Sequence, residues 1–172
     1  DTVDLFVNKG VYISRDDDDM VNLITKINLE QNIDTGVNEL TVTCLSFSNV
    51  LFQRIAFEQI NLTETVDICM RALVDKSFIN TSEARKISFI KLGSMTYFGS
   101  KIVKQVTEDY NILDAVQELA IAYDIGFKFV LNESKNFVFT LYRGIDRSIN
   151  QTEVDPVEFS LGLNNLNSFY NY

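Results

Sequence analysis

The chain has 172 residues, 46% hydrophobic and 23% charged, which is enough apolar content to bury a core and too much for a disordered segment. Its 15 Lys and Arg against 24 Asp and Glu leave a formal charge of −9, which repels nucleic-acid phosphates and anionic membranes at long range. There is no His, so Ser-His-Asp and Cys-His nucleophile systems and His-ligated metal sites are excluded, and two Cys cannot form a four-thiolate zinc site.

The chain opens at Asp1 without an initiator Met, directly in a strand-like stretch, so it is expected to be a fragment of a longer parent. No apolar run approaches the roughly 18–20 residues that span a bilayer, and no basic-then-apolar signal segment opens it. Val3–Val7 and Val11–Ser14 are short apolar runs. Val21, Leu23, Thr25, Ile27 and Leu29 alternate at the period of a pleated strand and are expected on one face. Asp34-Thr35-Gly36 marks a turn, and Leu40, Val42 and Cys44 alternate again, predicting a hairpin of 20–29 with 39–47. From Phe47 to Ile55 the spacing turns helical and predicts a short helix.

Thr63 is the expected N-cap of an amphipathic helix over 64–78, whose apolar face is Val66, Cys69, Met70, Leu73 and Val74. Residues 79–86 read as a loop, 86–92 as a strand, and Gly93–Gly99 as an irregular connection. A second helix, 112–124, is capped by Asn111, presents Leu113, Val116, Leu119, Ala120 and Tyr123 to the core, and ends at Gly126 in a left-handed conformation. Strands 127–131 and 136–142 follow, joined by the polar turn 132–135. Val157–Ser160 reads as a last strand, and 161–172 as an Asn- and aromatic-rich arm. Cys44 falls in a strand and Cys69 on a helix face, and both are expected as buried thiols. The order of elements predicts an α+β fold with mainly antiparallel pairing.

Little in the sequence selects a site. Asp16–Asp19 suggests a divalent cation, with Asp16 and Asp18 as the candidate ligands, yet the position where a calcium loop needs Gly is Val21; a solvated turn is the favoured reading. No spacing selects an acid pair of the glycosidase kind. Arg143-Gly144-Ile145-Asp146-Arg147-Ser148 could hold an anion, but a tight turn with Gly144 at positive φ is preferred. Phe127, Phe129, Phe137, Phe139 and Tyr142 are expected in sheet packing ahead of a ligand platform.

Several stretches, in order, resemble the minor structural proteins of siphophage tail tips, related to baseplate hub proteins. These are ELTVTCLSFSNVLFQRIAF, ALVDKSFINTSEARKISFIKLG, NILDAVQELAIAYDIGFKF, FVFTLYRGIDRS and DPVEFSLGLNNLNSFY. The resemblance implies antiparallel β-barrel-like modules with two inserted amphipathic helices. A β-rich hub-type module is expected over 1–60 and a helix-strand-helix-hairpin module over 61–172, packed as one unit. Gly126, Gly144, Asp146, Arg147 and Phe159 match the family pattern as fold positions. The implied role is assembly at the end of the tail tube, with sibling subunits in a trimeric or hexameric ring and other tail proteins as partners. It involves no catalytic residue, cofactor, nucleic acid or membrane insertion. The chain is then expected to be made in the bacterial cytoplasm and to reside at the virion tail tip. A host cell-wall or receptor-binding module (with Asn164, Asn165 and Asn167 as contacts) is the alternative, and a tail-associated cell-wall hydrolase the third reading.

Overall fold

In the computed structural model, which describes residues 11–15, 18–31, 36, 38–94, 99–144 and 152, the alternating runs form the expected strands. Strands β1 (Tyr12–Arg15), β2 (Asp18–Gln31) and β3 (Asn38–Ser46) open the chain, and the predicted short helix is a 310 helix, Phe47–Gln53. Strand β4 (Ile60–Leu62) leads to helix α1 (Val66–Val74), which runs on into a π-helical turn, Asp75–Ile79. Then come β5 (Ile90–Leu92), β6 (Lys104–Val106), helix α2 (Ile112–Tyr123), β7 (Ile125–Leu131) and β8 (Phe137–Arg143). The chain divides into two compact units, Asp1–Tyr142 and Arg143–Tyr172. Of the second, residues 143, 144 and 152 are described, and Arg143 and Gly144 are exposed. The expected strands at Val3–Val7 and Val157–Ser160 and the arm at 161–172 lie outside the described residues.

The fold is α+β. The main sheet runs β1-β2-β7-β8-β5, with β3 also on β2, while β4 and β6 form a separate two-stranded sheet. Pairing is antiparallel except for β5 on β8, which is parallel. The expected barrel is not closed among the described residues. One end of the sheet is β5, only three residues long, and no pairing joins it to β1 or β3 at the other end.

The core forms where helix and strand periodicities face each other. Val66, Cys69, Met70, Leu73 and Val74 of α1 are all buried, as their spacing predicts. On α2 the buried residues are Ile112, Ala115, Val116 and Leu119, a face rotated from the expected one, with Tyr123 40% exposed. Phe129, Phe137 and Phe139 alternate inward from β7 and β8 and are buried, while Tyr142 is exposed. Phe47 stacks on Phe137 at 4.0 Å and meets Phe129 edge-on at 5.1 Å, which ties the 310 helix to the sheet.

Four local expectations are corrected. The N-cap of α1 is Thr65, not Thr63, and its side chain makes no capping bond. Asp124, at φ 52°, is the left-handed residue that ends α2, whereas Gly126 lies inside β7. A Cβ on Gly126 would stand 2.3 Å from the Tyr142 ring, so glycine makes room there for a cross-strand aromatic. Gly144 is not at positive φ, and a Cβ on it would meet nothing within 4 Å.

The fourth correction shapes β2. A bulge at Thr25 shifts the register between Ile24↔Cys44 and Lys26↔Thr43. The predicted single-sided set therefore splits. Val21 and Leu23 lie on the face of Lys26, Asn28 and Glu30, and Ile27 and Leu29 continue the face of Ile24. Val21 and Ile24, on opposite faces, are both buried.

Candidate functional site

Beyond the bulge, β2 and β3 make a two-stranded arm. Among the described residues, β3 is the only strand paired with β2 past Ile24. None of the described residues of the arm, 25–31 and 39–43, is buried. Thr25 Oγ1 donates to the Thr43 carbonyl at 3.1 Å and pins the bulge. One face carries the apolar pairs Ile27/Val42 and Leu29/Leu40, and Leu29 is 55% exposed. The other carries Lys26/Thr43, Asn28/Thr41 and, toward the tip, Glu30 directly opposite Glu39. Like charges facing across a ladder oppose pairing. Asn28 Nδ2 donates to Glu30 Oε1 at 2.6 Å.

The outward face of β5, β7 and β8 forms an open trough of about 840 Å³, lined by Lys91, Lys128, Val130, Asn132, Val138 and Thr140 among others. Among the described residues no carboxylate lines it. Parallel pairing of β5 on β8 places Lys91 opposite Val138, and the Lys128 ammonium lies 5.6 Å from the Tyr142 ring centroid. Gly93 closes one end: a Cβ there would come within 3.1 Å of the Phe139 carbonyl oxygen and the Thr140 hydroxyl.

A second depression, about 470 Å³, sits at the π-helical turn and is lined by Phe57, Glu58, Asp75, Lys76, Ser82 and Arg85 among others. The Asp75 carboxylate accepts from Asn80 Nδ2 at 3.0 and 2.9 Å. Arg85 donates to the Ile55 carbonyl at 2.9 Å and lies 5.1 Å from the ring of Phe57, which is 73% exposed. Arg54 donates to the Arg85 carbonyl at 2.8 Å and lies over Phe78. Burial, then the nearby Arg85 charge, lowers the Arg54 pKa. Both arginines are held by backbone carbonyls and rings, and among the described residues neither is paired with a carboxylate. That arrangement fixes the loops around the depression.

On the exposed side of α2, Glu118 accepts from Lys104 and from the Tyr110 hydroxyl. These bonds, Lys104's the larger, hold the Glu118 carboxyl below the usual glutamate range, and its hydrogen bond to Glu118 raises the Tyr110 phenol. The cluster joins β6 and the turn before α2 to the helix and is accounted for as a surface tie.

Most of the sequence-predicted site residues fall outside what the structure describes. Asp16, Asp146, Arg147 and Phe159 lie outside the described residues, as does the Asp18 side chain, although Asp18 begins β2. Gly126 is a sheet position beneath Tyr142, and Gly144 follows β8. Cys44 is half-buried in β3 and Cys69 is buried in α1; both are free thiols. Among the described residues no group of three or more acidic or thiol side chains could hold a metal, and no helix is long and apolar enough to cross a membrane. Sequence reasoning missed this trough, because Lys91 and Lys128 are remote in sequence and reach one face only through the strand order β7-β8-β5.

Compared with known proteins, residues 2–170 match a family described as "Siphovirus ReqiPepy6 Gp37-like protein". No curated protein and no solved structure matches the chain.

Proposed function

Because the chain belongs to the siphovirus ReqiPepy6 Gp37-like family, we propose that it is a hub-related structural component of the phage tail tip, acting by assembly with sibling subunits and other tail proteins at the end of the tail tube. The observation that carries this reading is the arm. A two-stranded ribbon with no buried described residue and a Leu29 side chain 55% exposed contributes little to its own fold. Such edges and ribbons are surfaces that proteins use to pair with other chains. In this role the chain needs no cofactor and performs no catalysis. Cross-linking mass spectrometry on purified virions tests it. Cross-links from Lys26 on the arm to tail-tip proteins are expected, and cross-links confined to capsid or tail-tube proteins would sink the reading.

A host-surface role is the second reading, favoured by the exposed rings of Phe52 and Phe57, the latter beside the depression under Arg85. Aromatic faces of this kind stack on sugars. Retention of the chain on isolated host cell wall, lost in Phe57→Ala, is its expected outcome; no retention removes it. Zymography on peptidoglycan separates both from a hydrolase, for which a lysis band is required.

A further inference from the structure

We infer that the depression at the π-helical turn binds an uncharged saccharide, with one pyranose ring resting on Phe57 and its hydroxyls bonded by Asp75, Asn80 and Arg85. The inference rests on the host-surface reading and goes beyond it by naming the ligand class and the groups that hold it. Three observations meet. First, the size fits. The depression holds about 470 Å³, inside the roughly 300–1,000 Å³ of clefts that take small molecules. Second, the lining is polar but balanced. Among the described residues two carboxylates, Glu58 and Asp75, stand against two cations, Lys76 and Arg85, in a chain whose net charge is −9. Such a lining gives no net pull to an anion or a cation, while it offers hydrogen-bond donors and acceptors together. A saccharide ring matches it, since each hydroxyl both donates and accepts. Third, an aromatic ring borders the depression. Arg85 lies over one face of Phe57, which is still 73% exposed, so the other face is open. The C–H face of a pyranose carries slight positive charge and settles on the electron-rich face of such a ring.

The polar groups are already set. Asn80 donates through its backbone N–H to the Asp75 carbonyl at 2.7 Å, the bond that closes the π turn, and through Nδ2 to both carboxylate oxygens. These bonds turn the Asn80 amide oxygen away from Asp75 and leave each carboxylate oxygen a further acceptor position. Neighbouring hydroxyls of one sugar ring can therefore both donate here. Arg85 donates one N–H to the Ile55 carbonyl at 2.9 Å and keeps others for a ligand oxygen. Because the turn and the guanidinium are fixed before a ligand arrives, binding costs little ordering. Isolated π turns are rare and recur at functional sites.

The test is amide NMR on the full 172-residue chain, titrated separately with glucose, galactose, rhamnose, N-acetylglucosamine and inorganic phosphate. At least one of the saccharides is expected to shift the amides of residues 75–85 in a saturable way, and phosphate is not. Phe57→Ala, at an exposed position, is expected to bind that saccharide at least about fivefold more weakly, and Phe57→Tyr, which keeps the ring, within about twofold of wild type. Asp75→Asn is expected to weaken binding at least as much as Phe57→Ala. Unchanged melting temperatures certify that the variants are folded, and the two Phe57 variants decide where Asp75→Asn disturbs the π turn. No saturable shift with any of the saccharides, shifts confined to other parts of the chain, equal binding by Phe57→Ala, or tighter binding of phosphate at the same amides would each overturn the site. Retention on host cell wall by a chain that none of these saccharides shifts would reject this site and leave the host-surface reading intact. Saccharide binding at 75–85 by a chain that the wall does not retain would do the reverse.

Discussion

The helical body and the β2–β3 arm are built from similar residue types and fare differently. In the body, Leu73, Phe78, Ile90, Val116 and Phe139 are sealed from solvent. In the arm, Ile27, Leu40 and Val42 reach only half-burial, and Leu29 stays exposed. Apolar alternation alone therefore does not make a core; a second layer must face it. The comparison breaks most easily at Phe139, which is fully buried and touches Phe127 and Phe129 at ring distances of 6.0 and 5.4 Å. Phe139→Ala is expected to cost about 3–5 kcal/mol, read as a lowered midpoint in urea unfolding. An arm residue of similar hydrophobicity behaves otherwise. Leu29→Ser is expected to change stability by less than about 0.5 kcal/mol, the usual size for exposed positions. A loss comparable to that of Phe139→Ala would mean that the arm belongs to the body after all.

Between these extremes lies the joint of α2. Asn111 Oδ1 accepts from the Leu113 amide at 2.9 Å and from the Asp114 amide at 3.4 Å, while its Nδ2 donates to the Phe52 carbonyl at 2.8 Å. One side chain thus caps the helix and ties it to the 310 segment. Asn111→Ala is expected to lower stability by about 1–2 kcal/mol, the upper part of the capping range because a second bond is lost with the cap. Asn111→Asp keeps the acceptor and loses the donor, so it should recover part of that loss in the same thermal melt.

The cap was legible in the sequence because its signals are local: an Asn just before a periodic apolar run, three residues from an acid. The hairpins were legible for the same reason, since alternation and turn residues sit within a few positions of each other. Non-local features were not. Nothing near Thr25 announces a bulge, because the shift is set by how β2 and β3 share hydrogen bonds. The role of Gly126 depends on Tyr142 in the next strand. The β4–β6 pair escaped because Ile60–Leu62 and Lys104–Val106 are too short to show a period. The trough escaped because lysines read as solvated charges until the strand order puts them on one face of the sheet, with β8 between them. The family resemblance identified the lineage, and it also suggested barrel-like modules, whereas among the described residues the sheet ends at the short β5 and does not close.

The smallest effect sharpens the comparison from the surface of the body. Lys104 and Tyr110 hold the Glu118 carboxyl below its ordinary range, so the folded state binds that proton less readily than the unfolded chain. Its contribution to stability is fully present above the ordinary glutamate value and is lost as pH falls through the lowered one. The Glu118 side chain is 50% exposed, so solvent screens most of the interaction, and exposed pairs of this kind contribute about 0.2–1 kcal/mol. Glu118→Gln should therefore lower the midpoint slightly at neutral pH and flatten the acid limb of the stability curve. Wild type and variant are expected to converge once the pH lies below the lowered value. If the two curves ran parallel across that window, the carboxylate would not be the titrating partner of Lys104, and the tie between β6 and α2 would have to rest on packing alone.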